Sequence, residues 1–371
     1  MSLFSLIKSY NSFNFNEFQN TVDGNRIERI LDKRGLDIMD FLCLLSKNAS
    51  NNLEEMAQIA HENTKKYFGN VIQIFTPLYL SNYCDNKCRY CSFANHQKIK
   101  RKKLSLDEIR TEAEIISKSG MRNILILTGE SRSMTPVNYI KSSIEVLGEY
   151  FSSIGIEIYP LTGDEYLELI RSGVDSLTIY QEVYDRKIYS NLHDRGPKAD
   201  YEFRLDAPER ALQQNIRKVN IGTLLGLGNP VKEIFFTGLH MQYLQKKYPW
   251  AEFSVSLPRI RPLVSEFKPE FQISDALFVQ ILTALRIWNP SLGITISTRE
   301  SQNFRNNILK LGVTRMSAGV STAVGGHSSN SSANQFEISD LRSLPEIQCD
   351  LLKMGYQPVL HDWNIKMSVL S

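Results

Sequence analysis

The chain has 371 residues, 42% of them hydrophobic, with 43 Lys and Arg against 40 Asp and Glu. That exceeds the usual domain of about 100–200 residues but suits one α/β barrel with extensions. The near balance of charge gives no electrostatic case for a nucleic-acid or membrane-surface partner; no signal-peptide pattern or apolar run near the roughly 20 residues of a membrane span is present, so a soluble, cytoplasmic protein is expected.

Residues 1–70 read as a helical extension, a prelude to the core, that includes the polar stretch "NSFNFNEFQNTVDGN". From 71 to 326, apolar β-branched runs alternate with helix-like segments. The runs are "VIQIFTPLYL", "NILILTGE", "GIEIYP", "SLTIYQEVY", "KVNIGTLLGLG", "EFSVSLPRI", "GITISTRE" and "VTRMSAGVS". Helix starts lie between them: Ser105 with Glu108 and Thr162 with Glu165 fit capping boxes, and Thr135-Pro136 and Asn229-Pro230 place a capping side chain before an N1 proline. Residues 327–371 read as a tail with a helix packed on the barrel. The Gly/Ser/Asn-rich stretch 325–335 reads as a flexible flap or connector, with His327 exposed to solvent.

The expected fold class is α/β, a (βα)8 TIM-type barrel with an N-terminal helical extension and a C-terminal helical tail. Eight parallel strands with helical crossovers can close without leaving an edge; an open doubly wound sheet is the alternative. In a barrel the active site lies at the C-terminal ends of the strands. Polar residues interrupt the apolar runs there: Tyr79, Glu130, Glu182, Arg259, Arg261, Arg299 and Ser317.

Of five cysteines, Cys43 and Cys349 sit in apolar helical contexts and read as buried. The other three, Cys84, Cys88 and Cys91, fall in "LYLSNYCDNKCRYCSF", on the loop after the first strand. A structural zinc needs four ligands, and neither His96 nor a distant cysteine completes the set with a suitable spacing. A 4Fe-4S cluster has four corners and soft thiolate ligands, so three cysteines hold three irons and leave one open. The spacing C-x3-C-x2-C, with Tyr90 before the third cysteine, favours the cluster.

These residues resemble the radical S-adenosylmethionine enzymes. The resemblance implies that the open iron binds the methionine moiety of S-adenosylmethionine, whose reductive cleavage gives a 5′-deoxyadenosyl radical. It also implies that Tyr90 lies against adenine, that Glu130 in "LTGES" contacts the methionine amine and that Gly222 in "GTLLGLG" flanks adenine. Further stretches, "YQEVYDRKIY", "GPKADYEFRLDAPERA", "ISTRE", "SAGVST" and "QFEISDLRS…GYQPVLHDW", are similar to the aromatic amino-acid lyases of that superfamily, above all to the tyrosine lyases of thiamine thiazole biosynthesis. The resemblance runs from about residue 35 to Trp363.

It implies cleavage of L-tyrosine between Cα and Cβ to 2-iminoacetate and p-cresol. Arg299 would anchor the substrate carboxylate with Ser317, and Tyr79 would lie near the amine. Glu182 would hold the ribose, while Lys198 and Arg204 would surround the methionine carboxylate. The implied partners are thiazole synthase, its sulfur-carrier protein and a reductant such as flavodoxin or ferredoxin. For Arg299 the competing reading is an ion pair with Glu300. The basic run "HQKIKRKKLS" reads as a solvated loop, since it lacks interleaved aromatics for base stacking.

Three alternatives remain at this point. A hydrogenase-maturing tyrosine lyase implies a second C-terminal cysteine cluster, for which only Cys349 follows Cys91 before Ser371. A tryptophan lyase would differ in pocket residues. A non-catalytic iron-sulfur carrier would gain nothing from an open iron.

Overall fold

The β-branched runs become strands that bury one face inside a barrel and the other beneath helices. In the computed structural model, which describes residues 2–261, 267–328 and 332–361, they are β1 (Val71–Ser81), β2 (Asn123–Thr128), β3 (Ser153–Glu157), β4 (Val174–Glu182), β5 (Lys218–Thr223), β6 (Glu252–Ser256), β7 (Gly293–Ile296) and β8 (Arg315–Ser317). Each pairs in parallel with the next, and β8 returns to β1 through Gln73 with Arg315, Ile74 with Met316 and Phe75 with Ser317. The ring is closed. An open doubly wound sheet is therefore excluded.

The tail departs from expectation. Its helix, Leu344–Lys353, is followed by a ninth strand, β9 (Gln357–Val359). β9 pairs with Val71–Gln73 at the start of β1, and the Arg122 N–H donates to the Leu360 carbonyl at 3.0 Å just below β2. β1 is long enough to serve three partners at successive heights. A three-residue strand containing Pro358 has no readable alternation, and proline is tolerated because this strand lies at an edge. The last residues of the resembling tail, including Trp363, lie outside the described residues.

The N-terminal helices are more than a prelude. The ring of Phe41, fully buried, stacks on Trp288 with centroids 4.7 Å apart. Gly238 permits this contact, since a Cβ there would lie 2.7 Å from the Phe41 ring. Gln280 clamps the same segment by donating to the carbonyls of Leu44 at 3.0 Å and Ser46 at 2.7 Å. In the polar stretch, Phe13 and Phe15 pack edge-on, and Phe15 meets Phe235 and Phe236.

The capping boxes at Ser105 and Thr162 form, and Asn229 caps the helix that Pro230 opens. Thr135 does not cap: the helix starts at Val137 behind Pro136, and the Thr135 hydroxyl donates instead to the Ser131 carbonyl at 2.9 Å. Cys43 is buried in its helix as expected, but Cys349 is exposed, on the outer face of the helix 344–353. Among the described residues no helix is long and apolar enough to cross a membrane.

A buried ion cluster ties the C-terminal segment to the barrel. Arg305 pairs with Asp340 and also donates to the Ser317 carbonyl, while Arg342 bonds Asp340 and reaches Asp350 at 2.7 Å. Removing the shared acid would leave two guanidinium groups without their buried partner. Asp340→Ala is expected to cost roughly 3–5 kcal/mol in chemical denaturation; a change near zero would show that the pairing carries no net stability.

Candidate active site

Period-two alternation sends every second side chain of a barrel strand inward. Near the C-terminal ends these inward residues enclose an empty volume of about 1100 Å³, mouth included. Its walls carry Tyr79 from β1, Glu157 from β3, Tyr180 and Glu182 from β4, and Ser317 from β8, with Tyr90, Cys91, Lys198 and Arg299 on the loops above. Seven of the twelve site residues expected from sequence thus face one cavity.

The cysteine loop forms one end. Arg101 fastens it, with its guanidinium donating to the carbonyls of Asn82 (2.6 Å), Phe93 (2.7 Å), Ala94 (2.7 Å) and Gln97 (3.3 Å). The basic run is therefore not simply solvated: Arg101 holds both ends of the loop. Gly129 lets β2 approach it, because a Cβ there would lie 2.2 Å from the Tyr83 carbonyl oxygen. Burial pushes the Cys84 thiol up to about 11 and those of Cys88 and Cys91 upward as well. Among the described residues no three His, Cys, Asp or Glu side chains converge on a point. A mononuclear site needs such convergence, whereas each thiolate of a cluster takes its own iron.

Beneath the loop lies a buried network of four charges. Arg204 donates to Glu130 at 2.7 Å and to the Tyr180 carbonyl at 2.7 Å, and it lies 3.7 Å from Glu182. Lys198 donates to Glu182 at 2.7 Å. Asn86, between the first two cysteines, donates to Glu130 at 2.8 Å and accepts the Lys198 backbone N–H at 2.8 Å. Burial alone would raise the Glu130 carboxyl, but Arg204, Lys198 and Asn86 outweigh it and hold it below its ordinary value. Glu182 closes β4 at φ 69°, a left-handed conformation unusual for a non-glycine residue. The Leu224 N–H and the Thr223 hydroxyl donate to its carbonyl and fix that geometry.

Tyr90 borders the same network. Its hydroxyl donates to His193 Nε2 at 2.9 Å, since His193 Nδ1 donates to the Tyr189 carbonyl at 2.9 Å. Burial and the nearby Lys198 and Arg204 charges keep that imidazole neutral. Gly222 does not line the cavity: a Cβ there would meet the Ser256 carbonyl at 2.5 Å and the Tyr180 ring at 3.0 Å, so packing already requires glycine.

The polar groups around Arg299, after β7, are different. Glu300 pairs with Arg259 and with Arg261 at 3.0 Å, not with Arg299. Arg299 has no carboxylate partner among the described residues, and its guanidinium lies 3.6 Å from the Phe336 ring centroid. The Ser317 hydroxyl is buried without a hydrogen-bond partner among the described residues. The Tyr79 hydroxyl donates to Gln335 at 2.6 Å. Glu157 makes no hydrogen bond or ion pair with the described residues; burial and the Glu182 charge push its carboxyl up to about 7.

Sequence reading missed Asn86, Arg101, Glu157, Gln335 and Phe336. Glu157 had a usable signal, a carboxylate at inward parity in "GIEIYP". Gln335 was masked by a Gly/Ser/Asn-rich composition that reads as flexible. His327, in the same stretch, is not a free surface residue: its ring nitrogen bonds the Pro77 carbonyl at 3.1 Å, and its N–H donates to Glu112 at 3.0 Å. Residues 329–331 of that stretch lie outside the described residues.

The profile described as "Radical SAM superfamily" matches residues 78–235, and that described as "Biotin and Thiamin Synthesis associated domain" matches 256–357. The chain is 35% identical over 340 residues to 2-iminoacetate synthase of Escherichia coli, covering 91% of this chain and 90% of that one. The chain belongs to the 2-iminoacetate synthase family. Among solved structures, the FeFe-hydrogenase maturase HydG from Carboxydothermus hydrogenoformans is 32% identical, with a TM-score of 0.88, over 96% of this chain and 84% of that one. Methylornithine synthase, at 22% identity and a TM-score of 0.72, shares the fold.

As a member of the 2-iminoacetate synthase family, the chain is a radical S-adenosylmethionine lyase that uses a 4Fe-4S cluster. The residues fit that cofactor pair: three thiols share one fastened loop, a tyrosine ring borders it, and charges of both signs lie beneath. Two outcomes are expected. Arg101→Lys, which cannot reproduce the guanidinium fork, loses cluster iron to a chelator about tenfold faster; an unchanged rate would show that other contacts hold the loop. Because folding raises the Glu157 pKa from 4.5 to about 7, its contribution is present below pH 4.5 and is lost as pH rises through 7. Glu157→Gln is therefore expected to be more stable than the parent by roughly 1–3 kcal/mol at pH 8, with the gain vanishing near pH 4. A gain independent of pH would contradict this.

Proposed function

We propose that this chain cleaves the Cα–Cβ bond of L-tyrosine to give 2-iminoacetate and p-cresol. The observation that carries the reading is the part of the cavity formed by Arg299 and Ser317, which among the described residues are a guanidinium without an acid and a buried hydroxyl without a partner. Such a pair suits a carboxylate, which accepts two parallel bonds from a guanidinium and one from a hydroxyl. The family relationship and the place of Arg299 and Ser317 in the cavity that Cys91 also lines support an amino acid as the ligand.

Cys84, Cys88 and Cys91 would hold the 4Fe-4S cluster. Glu130 would take the methionine amine of S-adenosylmethionine, Arg204 and Lys198 its carboxylate, and Glu182 its ribose, with Tyr90 against adenine and Gly222 in the adjoining strand. The chemistry supplied when both are bound is one-electron cleavage of the sulfonium, giving a radical that takes a hydrogen atom from the substrate. The protein's own part is to hold one hydrogen in reach and keep water out. Arg299 and Ser317 fix the carboxylate end, and Tyr79, held by Gln335, borders the amine.

The reading extends to partners. 2-Iminoacetate would pass to thiazole synthase and its sulfur-carrier protein, with flavodoxin or ferredoxin as reductant, in the cytoplasm, where thiols stay reduced.

The test is anaerobic incubation of reconstituted protein with a reductant, S-adenosylmethionine and either tyrosine or tryptophan. Formation of p-cresol and glyoxylate, the hydrolysis product of iminoacetate, is expected from tyrosine alone; a methylindole or indolic acid from tryptophan would overturn the substrate, and no 5′-deoxyadenosine would overturn the activity. Arg299→Lys is expected to raise KM for tyrosine by about tenfold or more, with S-adenosylmethionine affinity unchanged.

A further inference from the structure

Three carboxylates line or border the cavity, and they are not equivalent. Glu130 is engaged by Arg204 and Asn86, and Glu182 by Lys198. Glu157 is engaged by neither hydrogen bond nor ion pair among the described residues, although it lines the same cavity as Arg299. An uncompensated carboxylate in a protected cavity is unfavourable unless a ligand completes it. Arg299 is a cation with no carboxylate in ion-pair distance among the described residues. The cavity thus holds, at the end of β3 and after β7, one anion and one cation without an ion-pair partner among the described residues, the complement of a zwitterion.

We propose that Glu157 receives the substrate ammonium group and accepts one of its protons, so that the amine is neutral when a hydrogen atom is taken from it. This rests on the reading that the substrate is a free α-amino acid. The step balances: the N–H bond of the ammonium breaks heterolytically, its electron pair stays on nitrogen, and the proton forms an O–H bond on Glu157. No electron is transferred. The proton is released to water after the product leaves.

The position of Glu157 supports this role. The groups that face it are Glu182 and Tyr180 from β4, Tyr79 from β1, Arg299 after β7, and Lys198 and Arg204 from the segment after β4. It lines the same cavity as Glu182, Lys198 and Arg299. An α-amine tethered to a carboxylate on Arg299 would lie in the cavity that Glu157 lines. A carboxyl that burial and the Glu182 charge raise to about 7 suits proton acceptance better than Glu130, which Arg204, Lys198 and Asn86 hold below its ordinary value.

The test compares tyrosine with its desamino analogue, 3-(4-hydroxyphenyl)propanoate, by equilibrium dialysis on reconstituted enzyme with S-adenosylmethionine. In the parent enzyme tyrosine is expected to bind about tenfold or more tighter than the analogue, and in Glu157→Gln the two are expected to bind within about threefold, with analogue affinity unchanged. The rising limb of the pH profile of kcat/KM should vanish in Glu157→Gln and return, shifted, in Glu157→Asp. Full discrimination and an unchanged pH limb in Glu157→Gln would overturn the proposal. A parent enzyme that binds neither ligand would overturn the amino-acid reading, and the proposal with it.

Discussion

The site depends on four charges buried together beneath the cysteine loop. Each of Glu130, Glu182, Lys198 and Arg204 would be costly alone in a water-poor interior, and each becomes tolerable because the others are there. They come from the end of β2, the end of β4 and the two short helical segments beyond it. Arg204 also bonds the Tyr180 carbonyl, and Asn86 carries the network into the cysteine loop. The loop that would hold the cluster and the strands that would hold its ligand therefore cannot move independently. A glutamate at φ 69° persists at the end of β4 because two hydrogen bonds to its carbonyl fix the backbone there.

The surroundings of Arg299 are built on the opposite principle. Arg259 and Arg261 take up Glu300 and leave Arg299 without an acid, while Phe336 covers its guanidinium face. Glu157 and Ser317 are likewise left incomplete. Unmatched polar groups cost stability, and here they collect where a ligand would supply the missing partners. The Arg305–Asp340–Arg342 cluster then has a clear purpose: it bonds the Ser317 carbonyl and holds β8, so that the incomplete wall stands on a rigid one.

Much of this was legible in the sequence, and the rest was hidden for physical reasons. Eight strands were readable because β-branched residues recur in runs of strand length between capped helices. β9 was not, since three residues with a proline have no period. The cysteines, Glu130, Glu182, Lys198 and Arg204 stood out as motif positions, but their mutual pairing joins residues as much as 74 positions apart and no local pattern encodes it. Arg101 looked like part of a solvated basic run because composition cannot show that its fork meets four carbonyls. Glu157 was passed over because one acid in a short apolar run is equally consistent with a strand edge. Gln335 and Phe336 were lost in a stretch whose composition suggested mobility, and Thr135 was misread because a threonine before proline caps only if the helix begins at that proline.

The central claim is the division of the cavity into a self-paired charge network for the cofactor and an incomplete wall for an amino acid. An anaerobic crystal structure of reconstituted protein with S-adenosylmethionine and tyrosine tests it most directly. The account predicts the tyrosine carboxylate on Arg299 and Ser317 and its nitrogen within about 3 Å of Glu157. Tyrosine with its nitrogen on Glu182 or Glu130, and Arg299 making no ligand contact, would contradict it.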